Sequence, residues 1–485
     1  MTLASISGCL SELARRDHGR LAVVDEDGTL TRLELDRRSN AVARTFAALG
    51  VREGDMVTVA LPNGRAFVLA CAAAWKLGAT AQPVSSRLPR AELEAVVALA
   101  DPSLVVGAQV EGRTCVQELD EDPDDGPLPD VVAREWKAPT SGGSTGRPKL
   151  IVATVPGVFD PDVPAVPYLR PGDVQVVPGP LYHNGPFLYC FRGLFCGQTV
   201  VLLRRFDAAA FLAAVQEHRA GFAMVVPTMM QRVWRLPERE SYDVASLHTV
   251  LHLGAPCPPW LKRAWLDWLG PERVLELYAG TEGTGITLIT GPEWLAHPGS
   301  VGRPALGSRV RVLRPDGTDC DPGETGEVYL LPESGPGTTY RYVGATAKAV
   351  DGGWETLGDL GHLDADGFLF LADRSADLIL SGGSNVYPAE VEAALDSHPA
   401  VRSSAVIGLP DDDLGERVHA LVDATAPVTA TELQAWVAER LVRYKVPRTV
   451  ELVEEPLRDD AGKVRRSALR AERLATRPSS GPASG

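Results

Sequence analysis

Short apolar runs alternate with stretches of helical periodicity through the first half of the chain, the pattern of an α/β architecture with a largely parallel sheet. Residues 56–61 read as a strand, 65–77 as an amphipathic helix closed by Gly78, and 104–107 as another strand. The β-branched and Leu-rich runs at 174–177, 199–203, 222–226, 249–253 and 273–277 predict buried strands, with covering helices at 208–218 and 258–269. From Val301 the texture changes. Pro315-Asp316-Gly317 and Pro322-Gly323 stand as turn signals between 309–313 and 326–331, and Asp366-Gly367 turns a hairpin over 361–372, which predicts a small antiparallel subdomain. Beyond Arg374 a compact α+β pattern begins, with helices at 388–396 and 431–442 and strands at 403–409 and 418–422. A boundary is therefore expected at 373–376, giving an N-terminal domain over 1–373, a C-terminal domain over 374–477 and a flexible, small-residue tail over 478–485.

Composition narrows the function classes. The 485 residues suffice for about three units of ~150 residues, or one large unit with an appendage. Apolar residues at 45% and charged residues at 23% are those of a soluble globular chain, not a disordered or fibrous one. The formal charge of −15 disfavours a general binder of nucleic-acid backbones or anionic membranes. Seven cysteines with no C-x-x-C pair fit a reducing compartment, and Glu12, Arg15, Arg16 and Asp17 interrupt any signal-peptide core, so a cytoplasmic location is expected. Lysine occurs only seven times against 41 arginines, which makes each retained lysine a candidate for a role arginine cannot fill.

The sharpest chemical signal is Thr140-Ser141-Gly142-Gly143-Ser144-Thr145-Gly146-Arg147-Pro148-Lys149. Glycines let backbone N–H groups approach phosphate oxygens, hydroxyls add donors, and the lysine adds charge. A plain flexible Gly/Ser loop is the alternative. A Walker-type loop is disfavoured because Arg147 and Pro148 separate Gly146 from Lys149.

This run resembles the phosphate loop of the adenylate-forming superfamily of acyl-CoA synthetases, nonribosomal-peptide adenylation domains and luciferases. Further segments match in family order: Leu277-Tyr-Ala-Gly-Thr-Glu-Gly283, Gly358-Asp-Leu-Gly361, Asp373-Arg374 with Ser381 to Glu392, Tyr444-Lys-Val-Pro447 and Ala461-Gly-Lys-Val464. The resemblance covers essentially the whole chain. It implies a large N-terminal domain of layered, mostly parallel sheets with an antiparallel subdomain, and a smaller mobile C-terminal domain.

It also implies roles. Tyr278 and the loop Gly254-Ala255-Pro256 lie beside adenine, Thr281 holds the α-phosphate, and Glu282 binds Mg²⁺. Asp359 accepts hydrogen bonds from the ribose hydroxyls, with Arg374 at the domain junction, and Lys463 bridges the acid's carboxylate and the α-phosphate. His183 stands at a gate between the acyl pocket and the acceptor's entrance, and 222–234 with 251–254 resemble pocket walls whose bulky apolar residues suit an aryl or medium-sized acyl group. Three positions depart from the family pattern: Leu150 replaces a glycine, Leu357 a threonine, and Ala376 the usual polar pivot of the domain rotation.

The expected activity is adenylation of an acid by MgATP with release of pyrophosphate, then transfer to coenzyme A, since no carrier module follows the second domain. The alternatives are an amine or arylamine acceptor, including activation of an oxyacid such as nitrite, and a non-catalytic nucleotide-binding relative. Glu282, Lys463 and the phosphate loop, all present, speak against the last.

Overall fold

The computed structural model describes residues 3–142, 148–160, 162, 168–374, 377–411, 413–459 and 462–475. Gly143, Ser144, Thr145 and Gly146 of the glycine-rich loop, Ala376 and the tail 478–485 lie outside the described residues. The chain divides into two compact units, one of residues 1–254, 261–310 and 330–355, the other of 255–260, 311–329 and 356–485.

In the first unit six parallel strands lie side by side in the order Leu21–Asp25, Thr199–Leu202, Val174–Val177, Phe222–Val225, Thr249–His252 and Val274–Ala279. Antiparallel strands extend both edges, Gly28–Thr31 on one side and Ile286–Thr290 with Arg303–Pro304 on the other. The five apolar runs thus form the strands expected of them, and their lack of alternation has a simple cause: Val176, Val200, Phe222, Val225 and Leu251 are inaccessible from either face. A second parallel sheet holds Thr80–Pro83, Met56–Val59, Leu104–Val106 and Cys115–Val116.

The helix Arg65–Lys76 differs from its expected amphipathic character: every residue from Phe67 to Lys76 is buried. It is packed on all sides, and its alanines admit close neighbours. Even Lys76, 1% exposed, donates from Nζ to Asp36 Oδ1 at 2.6 Å and Asn40 Oδ1 at 2.7 Å. Near the end of this helix Trp75 packs edge-on against Phe191 at 4.7 Å and donates from Nε1 to the Trp136 carbonyl at 2.5 Å. Phe187, Phe191 and Phe195, one face of helix Asn184–Phe195, complete this aromatic cluster and fix that helix in place. Trp75→Ala should cost the first unit about 3–5 kcal/mol, by the usual penalty for a large buried ring, read as a lowered midpoint in chemical unfolding.

In the second unit Ser384–Val386, Ile379–Ser381, Gly415–Ala424 and Val401–Asp411 form a sheet in that order, with Thr449–Val453 parallel to Gly415–Ala424. Helices Pro388–Asp396 and Ala430–Ala438 share a core with it through Val391, Leu395, Leu433 and Val437. The second helix ends four residues before position 442, because Val442 is extended and 54% exposed. The hairpin expected over 361–372 is longer, pairing Trp354–Leu363 with Leu369–Arg374, and Asp364 Oδ1 organises its turn by accepting from the Asp366 and Phe368 amides. The architecture is the expected α/β one, a large layered N-terminal part and a smaller α+β C-terminal part. Among the described residues no helix is long and apolar enough to cross a membrane.

Candidate active site

The parallel strands of the first unit end along one edge, the edge at which open α/β sheets bind ligands. The pairing of His252 with Glu276 sets Gly254 level with Tyr278, and the pairing of Val225 with His252 sets Pro227 beside them. Gly254 leaves its strand at φ +90°, a left-handed conformation that favours glycine. Beneath this edge Lys262 Nζ donates to Glu276 Oε2 at 2.5 Å, with both residues buried. Burial pushes the Glu276 carboxyl up, against the pull of Lys262, and burial together with Lys262 holds His252 well below the usual histidine range. The pair braces the strand that carries Tyr278 and leads into the turn with Thr281 and Glu282.

The described ends of the glycine-rich segment are two paired strands. Strands Thr140–Gly142 and Pro148–Ala153 are antiparallel, with Ser141 opposite Lys149 and Thr140 opposite Leu150. Leu150, one of the departures from the family pattern, is fully buried in the core behind the hairpin. The Thr140 hydroxyl accepts from Gln82 Nε2 at 3.3 Å. Lys149 Nζ reaches Glu282 Oε1 at 3.3 Å and sits 4.0 Å from the centre of the Tyr342 ring, whose hydroxyl donates to the same carboxylate oxygen at 2.5 Å. Burial, reinforced by Glu282, pushes the Tyr342 phenol up and keeps it a donor. Thr339 Oγ1 fixes the backbone below by donating to the Glu282 carbonyl at 2.9 Å. Lys149 and Glu282 thus meet across 133 residues of sequence. Tyr342 was not singled out in the sequence; its only signal is the alternation Tyr340-Arg341-Tyr342 on a strand beside 148–153.

His183 caps helix Asn184–Phe195, its ring 4.4 Å from that of Tyr182. The next residue, Asn184, accepts from Lys137 Nζ at 2.6 Å, so the segment leading into Thr140 is tied to the helix start. Burial and the nearby Arg192 bring the Lys137 ammonium down to about 7, against the pull of Glu282.

In the second unit Asp359 and the Arg374 backbone are partners across the hairpin. Lys463 is exposed on a short loop closed by a bridge between Arg458 and Val464, and its amide donates to Asp459 Oδ1 at 2.9 Å. The buried carboxylate of Glu392 holds both ends of that loop, accepting from Arg458 at 3.2 Å and from Arg466 at 2.9 Å through each oxygen.

A family model for the AMP-binding enzyme matches residues 10–343, and one for the AMP-binding enzyme C-terminal domain matches residues 390–463. The chain belongs to the AMP-binding enzyme family. This AMP-binding enzyme is 34% identical to a feruloyl-CoA synthase of Amycolatopsis sp over 94% of its own length and 96% of that protein. It is 31% identical to a 2-succinylbenzoate–CoA ligase of Bacillus licheniformis, over 95% and 98% respectively. Among solved structures, the o-succinylbenzoate coenzyme A synthetase of Bacillus subtilis in complex with ATP and magnesium matches with a TM-score of 0.83 and 28% identity, covering 96% of this chain and 100% of that one. The amide bond synthetase of Marinactinospora thermotolerans matches at 0.78 and 26%, covering 96% and 99%.

Proposed function

We propose that the acid taken by this ATP-dependent, AMP-forming acid–CoA ligase is an aryl or medium-sized acid, held along helix Asn184–Phe195 and the ends of strands Phe222–Val225 and Thr249–His252. ATP, Mg²⁺ and CoA are its cofactors and co-substrate. The observation that carries the reading is the Lys149–Glu282–Tyr342 cluster beside a hydroxyl-rich hairpin. The identity with feruloyl-CoA synthase supports an aryl acid.

Glu282 fits Mg²⁺: it is a buried hard-oxygen donor next to hydroxyls, and this ion usually takes one or two carboxylates together with phosphate oxygens. The bound ion supplies charge neutralisation at the phosphates. Thr140, Ser141, Gly142, Gly143, Ser144, Thr145, Gly146 and Lys149 hold the triphosphate, and Thr281 orients the α-phosphate. Tyr278 and Gly254-Ala255-Pro256 receive adenine, and Asp359 with Arg374 receives ribose. Attack of the acid's carboxylate oxygen on the α-phosphorus breaks the bond to pyrophosphate; the CoA sulfur, having lost its proton, then attacks the acyl carbon and AMP leaves. Lys463 balances charge in the first step, His183 gates the second, and rotation between 1–373 and 374–477 is absorbed at 374–377. The location we assign is cytoplasmic, in keeping with seven free cysteines.

The test is pyrophosphate release from MgATP across panels of aryl and alkyl acids, with and without CoA. Release with no acid would overturn the reading of the site. A second expectation concerns the Lys463 loop: Glu392→Gln should lower adenylation about tenfold, as neutralising a partner shared by two arginines loosens the loop. Thioester formation from a supplied adenylate should change little in the same variant.

A further inference from the structure

Helix Asn184–Phe195 turns its aromatic face to the core, and its opposite face carries Gly185, Tyr189 and Arg192. Gly185 marks what that face meets, since a Cβ there would lie 3.1 Å from Met224 Cε and 3.2 Å from Leu253 Cδ1, at the strand ends that form the pocket wall. Deeper along the same face Tyr189 stacks on Phe222 at 5.8 Å, and its hydroxyl lies 3.1 Å from that of Tyr168.

Arg192 ends this wall. The residue is half-buried, its Nε is closed to solvent and without a hydrogen-bond partner, and no carboxylate among the described residues pairs with it. Burial pulls its guanidinium down, with only the Tyr189 and Tyr168 hydroxyls opposing. Lys137, 7% exposed, is bound to the neutral Asn184, repelled by Arg192 and attracted by Glu282, so it offers Arg192 no anion. A guanidinium whose buried Nε has no partner, with no carboxylate beside it and a lysine as its charged neighbour, is costly in a folded chain unless an anion comes to it. In a chain of net charge −15 the arrangement stands out further.

We propose that Arg192 receives a second anionic group on the acid, so that the substrate is a dicarboxylate or an equally charged acid. The proposal rests on the reading of this helix as the wall of the acid pocket. Arg192 lies eight residues beyond Asn184, about 12 Å along the helix axis, and leans back by about one turn of 5.4 Å. The guanidinium therefore stands roughly 7 Å along the helix from its first residue, the span of a benzene ring or of a chain of four to five carbons. A guanidinium can take a carboxylate through two parallel N–H bonds, which a lysine at the same place cannot.

The test uses two matched pairs in ATP–pyrophosphate exchange: 3-(4-carboxyphenyl)propanoate against 3-(4-methylphenyl)propanoate, and heptanedioate against octanoate. The intact enzyme should favour the diacid of at least one pair about tenfold or more in kcat/KM, through KM. Arg192→Met should bring that ratio to about one while leaving the monoacid and the KM for ATP within about threefold, and Arg192→Lys should fall between. Preference for both monoacids by the intact enzyme, or an equal loss for both members of a pair in Arg192→Met, would overturn the proposal. If no acid supports exchange, the reading of the function fails on its own. The subsite is then judged by thermal shift with AMP: stabilisation by the diacids that Arg192→Met abolishes supports it, and none in the intact enzyme overturns it. Inorganic pyrophosphate is the control anion, and loss of its stabilising effect in Arg192→Met would assign this guanidinium to the phosphates instead.

Discussion

Glu282→Gln is expected to lower acid-dependent pyrophosphate release at least about 10²-fold while leaving the fold intact. The substitution keeps the shape of the side chain, and the amide oxygen can still accept from the Tyr342 hydroxyl, so the packing around residue 282 has no reason to collapse. What disappears is the negative charge that attracts Lys149 and that would face a divalent ion. Loss of partners one step removed from a metal ligand already costs about 10–100-fold, and loss of the ligand's own charge should cost more. The measurement is initial-rate pyrophosphate release with rising Mg²⁺, alongside thermal unfolding. Restoration of full turnover at saturating Mg²⁺ would show that Glu282 contributes only to metal affinity, and an unchanged rate at every Mg²⁺ concentration would remove it from the site altogether.

The strands of the large sheet were legible because burial on both faces leaves runs such as 222–226 and 249–253 without polar alternation, and turn residues bound them. The same signal misled at residues 65–77. Arg65 and Lys76 suggest a polar face, but Lys76 is satisfied internally by Asp36 and Asn40, and the helix is buried from Phe67 to its end. The N-terminal helices Ile6–Arg16 and Arg32–Ala48 carry their own start signals, an N-cap at Ser5 and a capping box between Thr31 and Glu34, which hydrophobic periodicity alone did not bring out.

Candidate site residues could be named from the sequence where the proposed chemistry is local. Thr140 to Lys149 and Tyr278 to Glu282 are short runs whose residue types match one task. Tyr342 and Lys137 were not legible, because their roles arise from pairing: Tyr342 reaches Glu282 across 60 residues, and Lys137 meets Asn184 across 47. The scarcity of lysine was a partial guide. Three of the seven, Lys76, Lys137 and Lys262, are buried at 1%, 7% and 0% exposure, places where a compact ammonium donates to one or two oxygens and a guanidinium would need more room and more acceptors. Retention of lysine in an arginine-rich chain therefore marks steric constraint as often as reactivity.

Lys463 is the retained lysine for which reactivity is the better account. It is exposed on a segment whose flanking Arg458 and Arg466 are both anchored to Glu392. Anchoring of the flanking residues lowers the ordering cost of bringing a charge to the reacting groups, which is what preorganised stabilisation requires. In the proposed first step negative charge accumulates between the acid's carboxylate and the α-phosphate, and a single ammonium placed there would be removed at a cost of about 10²–10³ in rate, or roughly 2.7–4 kcal/mol. Lys463→Ala should therefore suppress pyrophosphate release by that factor. Thioester formation from synthetic acyl-adenylate and CoA should fall far less, because displacement of AMP needs no charge at this position. Lys463→Arg should recover only part of the loss, since a planar guanidinium does not reproduce a compact ammonium. The decisive comparison is the two half-reactions measured separately in the same variant: equal losses in both, with unfolding behaviour unchanged, would mean that Lys463 does not serve the adenylation step.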